Sequence, residues 1–140
     1  MTTKYKILAK FVKDLSSETP DIDTYLHVKD NISKYSLNID IKSKAIKEKV
    51  IQVETTLNYS DKTETKKKSF FEIVYATIIK LSEEVQDKEE LGKIILCELQ
   101  NEIYQDLEKT FLQVLNNSGY PELKFAKKID FNELYEKSKN

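Results

Sequence analysis

Between Lys88 and Asn117, Leu91, Ile95, Leu99, Ile103, Leu107, Phe111 and Leu115 recur every four residues, flanked by Ile94, Leu96, Tyr104, Leu112 and Val114. Apolar residues at that spacing form a broad stripe along one side of a helix. Asp87 is placed to cap its start, and Glu89 and Glu90 suit the positive end of the helix dipole. Ser118-Gly119 followed by Pro121 ends it. Unbroken, such a helix is about 45 Å long at ~1.5 Å per residue. A compact domain of 140 residues has a diameter near ~37 Å. The helix is therefore expected to overhang its own domain and find cover in an oligomer.

Upstream of the helix the period is two. The run Tyr5 to Val12 alternates apolar residues with lysines and continues into KDLSSETP (13–20), where Asp14, Ser16 and Glu18 point to one face of a strand and Lys13 and Leu15 to the other. KYSLNIDIKS (34–43) sets Tyr35, Leu37, Ile39 and Ile41 against Ser36, Asn38, Asp40 and Lys42. VIQVETTLNY (50–59) sets Ile51, Val53, Thr55, Leu57 and Tyr59 against Gln52, Glu54, Thr56 and Asn58. These read as half-buried strands. FFEIVYATIIKL (70–81) differs, because both of its faces are largely apolar, with only Glu72 and Lys80 as charges. In a sheet whose outer side is otherwise polar, that second apolar face calls for a partner. SDKTETKKKS, with its Lys66 to Lys68 triplet, reads as a solvated hairpin loop. Asp21 to Ser33 reads as a loop that carries Ile22, Tyr25, Leu26, Val28 and Ile32 and folds over something. Tyr120 to Phe125 reads as an extended link, and Asp130 as the cap of a short helix carrying Phe131, Leu134 and Tyr135. The expected fold is α+β: a single domain over 1–140, with a four-stranded antiparallel sheet, one long helix and one short C-terminal helix.

Composition narrows the function. With 39% hydrophobic and 34% charged residues the chain is a globular mixture. The 23 basic residues, all lysine, against 24 acidic ones leave a net charge of −1. No overall field draws nucleic acid or an anionic membrane, and no arginine is present for bidentate phosphate contacts. One cysteine, Cys97, and one histidine, His27, exclude an internal disulfide and a Cys/His zinc site. Cys97 lies in the helical stripe and reads as a small buried residue, and His27 as a solvated one. No segment approaches the ~20 apolar residues of a membrane span, and MTTKYKILAK lacks a signal-peptide core, so a cytoplasmic protein is expected. An enzyme would need convergent acid-base or nucleophilic groups, and only scattered Asp, Glu and Lys are available.

Taken in order, KDLSSETP at the end of the first strand, FFEIVYATIIKL, the long helix, GYPELKF and the final DFNELY resemble the bacterial protein-export chaperone family SecB over almost the whole chain. The resemblance implies sheets that pair through their first strands, two such dimers sandwiching their long helices into a homotetramer. It also implies a holdase that uses no ATP or cofactor, keeps unfolded preproteins competent for translocation, and passes them to the motor ATPase SecA. By the same resemblance the motor docks on the outer sheet at the positions of Asp14 and Glu18, with Phe70 and Glu72 as an apolar-acidic pair on the fourth strand. The plainer reading is strand-end solvation for Asp14 and Glu18 and an edge-protecting charge for Glu72. The chain stops at EKSKN, so the family's C-terminal tail contacts to the motor are not expected. A variant branch of the family instead serves a toxin-antitoxin system, protecting an antitoxin, and is the alternative reading. A holdase needs dispersed apolar surface, for which Tyr25, Leu26, Val28, Ile32, Tyr104, Phe125, Phe131 and Tyr135 are the candidates. Each can equally be plain core.

Overall fold

The period-two segments become strands β1 (Tyr5–Glu18), β2 (Ser36–Lys47), β3 (Val50–Ser60) and β4 (Phe70–Leu81). In the computed structural model, which describes residues 4–61, 67–121, 123–125 and 128–138, they form one antiparallel sheet in the order β1-β4-β3-β2. Strands β2 to β4 make a meander, and β1 returns to lie beside β4, a Greek-key order. Lys66 of the expected hairpin loop lies outside the described residues, and Lys67 and Lys68 are exposed.

The inward residues of β3 and β4 are those that alternation selects. Val53, Thr55, Leu57, Phe71, Ile73, Thr77 and Ile79 are all fully buried. β1 is less regular. Its pairing with β4 slips at Leu8 and again at Lys13, two bulges that each add an unpaired residue and reverse the alternation. The second reversal cancels the first. Tyr5 and Ile7 face inward with Ile79 and Leu81, and Leu15 and Ser17 face inward with Ile73 and Phe71. Between the bulges Lys10 points in and Phe11 points out, the opposite of what strict alternation predicts. Lys10 then meets Asp106 of the long helix at 3.7 Å.

The long helix runs Lys88–Lys93 (α2), Ile94–Glu98 (a π-helical turn) and Leu99–Asn117 (α3). Asp87 caps it, accepting from the backbone N–H of Glu90 at 2.7 Å. The π turn explains the four-residue spacing. Four residues overshoot an α-helical turn by about 40°, so a stripe drawn every four residues winds away from the sheet. One extra residue in the ladder takes back about 100°. Displacing the ladder leaves a carbonyl short of a main-chain donor. The side-chain amide of Gln100 donates to the Ile95 carbonyl at 3.2 Å, and its oxygen accepts from the Thr55 hydroxyl of β3 at 3.1 Å. Gln100 is thus a fully buried polar bolt between helix and sheet.

Leu99, Ile103, Leu107, Phe111 and Leu115 are all fully buried against the inner sheet face. Contrary to the expectation from its length, this helix does not overhang its own domain. Strands of 11 to 14 residues span about 36–46 Å, as long as the helix, whereas a compact-sphere estimate understates the long axis of one sheet backed by one helix. A need for cover persists elsewhere. The chain exposes 9150 Å², about a fifth above the roughly 7500 Å² of a compact monomer of this size. Leu8, Phe11, Val12 and Leu15, all on edge strand β1, are between 39% and 49% exposed.

Asp21 to Ser33, expected as a loop, is mostly helix: α1 (Ile22–Asn31) and a 3-10 turn (Ile32–Lys34). Asp21 caps α1 through the Thr24 N–H at 2.8 Å. Ile22 and Leu26, one turn apart, face solvent while Thr24 and Val28 are buried. Apolar residues on both sides of the helix erase the stripe that would have announced it. The short helix α4 (Phe131–Ser138) starts as expected, with Asp130 accepting from Glu133 N–H at 3.1 Å.

Candidate functional site

Outer-face positions of the sheet follow from the register. Glu18 pairs with Phe70, Ser16 with Glu72, and Asp14 with Val74. The bulge at Lys13 restores this phase, so Asp14, Glu18, Phe70 and Glu72 all share the face away from the helix. Two-residue steps of ~7 Å and an interstrand spacing of ~4.8 Å put them in one small area. Asp14 and Glu18 are exposed, Glu72 is half-buried, and Phe70 is 43% exposed. Next to them lies a shallow depression of about 490 Å³, lined by Asp14, Glu72 and Val74 and, from β3 and β2, by Thr56, Asn58 and Asp40. The sequence reading did not single out Asp40 and Glu54, although the alternation of β2 and β3 puts both on this face. Lys13 pairs with Glu54 at its margin and holds the Glu54 carboxyl below the usual carboxylate range.

The candidate groove residues do not converge on a single groove. Val28 is fully buried, Phe131 and Tyr135 are buried, Tyr25, Ile32, Tyr104 and Phe125 are half-buried, and Leu26 is 52% exposed. Tyr25 packs against Tyr120 in a tilted arrangement with ring centroids 5.5 Å apart and donates to the Gly119 carbonyl at 2.7 Å, which ties α1 to the end of the long helix. Tyr104 and Phe131 pack edge to face at 5.2 Å. They line a groove of about 870 Å³ between the outward side of α3 and residues Lys128 and Ile129. Burial, with Glu108 beside it, pushes the Tyr104 hydroxyl's pKa up. Phe125, packed on Tyr59 at 5.1 Å, lines a second groove of about 450 Å³ with Leu37, Ile129 and Leu134. Leu37 and Ile129 were not among the candidates. Leu37 was legible as an inward position of β2, whereas Ile129 sits in a segment without periodicity.

Cys97 is buried, donates to the Asn132 side-chain oxygen at 2.7 Å, and has its thiol pKa pushed up by burial. It therefore packs the long helix against α4. Among the described residues no three His, Cys, Asp or Glu side chains are placed to hold a metal, and no helix is long and apolar enough to cross a membrane.

Known proteins are similar to this chain in sequence and in fold. The family model for the preprotein translocase subunit SecB matches residues 1–140. The putative protein-export protein SecB of Pelagibacter ubique is 57% identical over 140 residues, covering 100% of both chains. The protein-export protein SecB of Rhodospirillum centenum is 27% identical over 91% of this chain and 74% of its own. Among solved structures, a SecB-like chaperone of Mycobacterium tuberculosis, in complex with a peptide from an antitoxin, has the same fold with a TM-score of 0.61 at 12% identity, over 89% of this chain and 91% of that one. A Streptococcus agalactiae protein of unknown function gives a TM-score of 0.51 at 9% identity, over 92% of this chain and 100% of that one. Whole-length family match, sheet order and long helix together establish that the chain belongs to the SecB family of protein-export chaperones.

Proposed function

We propose that the chain is a cytoplasmic, ATP-independent holdase that binds unfolded preproteins and delivers them to the motor ATPase SecA. The observation that carries this reading is the gathering of Asp14, Glu18, Phe70 and Glu72 on one uncovered sheet face in a chain of this family. Carboxylates around an exposed aromatic ring give a partner an apolar anchor and a charge pattern that raises its encounter rate. The two grooves beside residues 128–131 offer half-buried aromatic surface to an extended client. Buried Phe131 lines the larger one with buried Tyr135 beside it in the same cluster, and Leu26 and Ile32 add apolar surface near α1, where Val28 is buried. A homotetramer as a dimer of dimers fits the excess exposed area and the apolar side chains on edge strand β1. The test is suppression of aggregation of several unrelated unfolded clients at stoichiometric tetramer without nucleotide. Failure with all of them removes the holdase reading, and a monomer in light scattering at micromolar concentration removes the tetramer.

A second reading, chaperone of an antitoxin, is favoured by one observation: the Mycobacterium tuberculosis relative in fold was solved with an antitoxin peptide. A toxin-antitoxin gene pair beside this gene, together with saturable binding of that antitoxin, would move it ahead.

A further inference from the structure

The outer face of the sheet has two ends. Beyond the acidic end described above, at the opposite end of the same strands, Lys6 pairs directly with Lys80, Lys80 is also paired with Val50, and Val50 with Lys47. One row further in, Lys44 is opposite Gln52. All four lysines are exposed, and among the described residues none is in an ion pair, whereas Lys4, Lys10 and Lys13 are bound to Glu90, Asp106 and Glu54. Like charges directly opposite each other on neighbouring strands destabilise a sheet. A local rule broken on an open surface points to something that the surface meets. At the acidic end Asp14, Glu18 and Glu72 are likewise outside any ion pair among the described residues. Between the ends the β1–β4 half of the face is apolar, while the β3–β2 half carries the uncharged Gln52 and Thr56 and the internal pair Lys42–Asp40 at 4.0 Å. Phe11 is 48% exposed, Val74 and Ile78 are half-buried, and Glu54 is held by Lys13.

We infer that the lysine row is the second half of the docking surface, so that the outer sheet takes one globular protein partner through two charge contacts of opposite sign on either side of an apolar centre. The partner's face must then carry a basic patch and an acidic patch. From Glu72 to Lys80 is eight residues of strand, so the patches lie about 27 Å apart. An apolar centre with a charged rim is the anatomy of a protein interface. The footprint, about 33 Å along the strands and ~19 Å across four of them, is on the order of 600 Å², near the ~800 Å² per partner of a specific complex. Two poles also fix the direction in which the partner lies along the strands, which a single acidic patch does not.

The inference rests on the docking reading above, and the experiment separates the two. Purified motor ATPase is titrated by calorimetry with wild type, with Lys6→Gln/Lys44→Gln/Lys80→Gln, and with Asp14→Ala/Glu18→Ala/Glu72→Ala, each at 50 and 300 mM salt. The lysine variant should bind about tenfold more weakly than wild type at low salt and within about twofold at high salt. Its thermal midpoint should be no lower than that of wild type, because the Lys6–Lys80 repulsion is gone. Unchanged or tighter binding by the lysine variant, with weakening confined to the acidic variant, overturns the two-pole surface and leaves motor docking intact. No binding by wild type overturns both. If instead wild type binds phosphatidylglycerol/phosphatidylcholine vesicles, the lysine variant does not, and the motor titrations match, the row faces a membrane and the inference is wrong.

Discussion

Two threonines on the inner sheet face are expected to respond in opposite directions to the same substitution. Thr55 and Thr77 are both fully buried, on neighbouring strands. The hydroxyl of Thr55 donates to Gln100 at 3.1 Å, whereas that of Thr77 has no hydrogen-bond partner among the described residues. Thr→Val exchanges hydroxyl for methyl at nearly constant shape. At Thr55 it strands the Gln100 oxygen in a dry site, at a cost of about 1–3 kcal/mol, less roughly 1 kcal/mol for the added methyl. Thr55→Val should therefore lose up to about 2 kcal/mol. At Thr77 the change removes a hydroxyl that was desolvated without compensation, and Thr77→Val should gain about 1 kcal/mol. The gap of about 1–3 kcal/mol corresponds to roughly 3–10 °C in midpoint for a chain of this length. Thermal and urea unfolding, followed by circular dichroism at one fixed protomer concentration because association contributes to stability, measures it. Shifts of the same sign, or values closer than about 1 kcal/mol, would refute the claim that hydrogen-bond satisfaction rather than burial decides these positions. Gln100→Leu extends the test. It strands both the Thr55 hydroxyl and the Ile95 carbonyl, so it should cost about 2–4 kcal/mol, and combining it with Thr55→Val should cost less than the sum.

Gly119 has φ +117, and an added Cβ would lie 2.6 Å from the Tyr25 ring; Gly119→Ala should lose about 2–4 kcal/mol in urea unfolding, with part of that recovered in a Tyr25→Ala background. Thr24 N–H holds the pKa of Asp21 below its ordinary value, so the cap's support of α1 is complete above pH ~4 and fades as pH falls through the lower folded value. Asp21→Asn should flatten that dependence in amide exchange of α1 between pH 5 and 3. Phe71→Ala, at a fully buried ring that meets Tyr35 and Tyr120, should cost about 3–5 kcal/mol by denaturant melting. Replacing Asp14, Glu18 and Glu72 by alanine should change stability by no more than ~1 kcal/mol while weakening motor binding at low salt and sparing aggregation suppression.

Most of the layer structure was legible because its periods were clean. β4 begins at Phe70 and ends at Leu81, and the long helix runs from Lys88 to Asn117, at the boundaries that the alternation, Asp87 and Gly119 indicate. β2 runs four residues beyond its expected end, to Lys47, because the lysines there are tolerated on an exposed edge. α1 stayed hidden because Ile22 and Leu26 face solvent. The bulges at Leu8 and Lys13 leave no mark in a run where lysines and apolar residues interleave, so the outward turn of Phe11 had to come from the register. A stripe repeating every four residues rather than every 3.6 was the one readable sign of the π turn. At the acidic surface, alternation within each strand put Asp14 with Glu18 and Phe70 with Glu72; only the pairing of β1 with β4 brings the two sets together.

The Greek-key order also constrains how the chain reaches this state. β2, β3 and β4 pair with their neighbours in sequence, but β1 closes on β4 through contacts as distant as Tyr5 with Leu81. Non-local pairings pay their loop entropy before they are rewarded. The meander should therefore organise first and β1 join late. During synthesis the first strand must wait, with its apolar side chains uncovered, until more than sixty further residues have left the ribosome. A member of a chaperone family should thus pass through a stage in which its own first strand is the exposed segment.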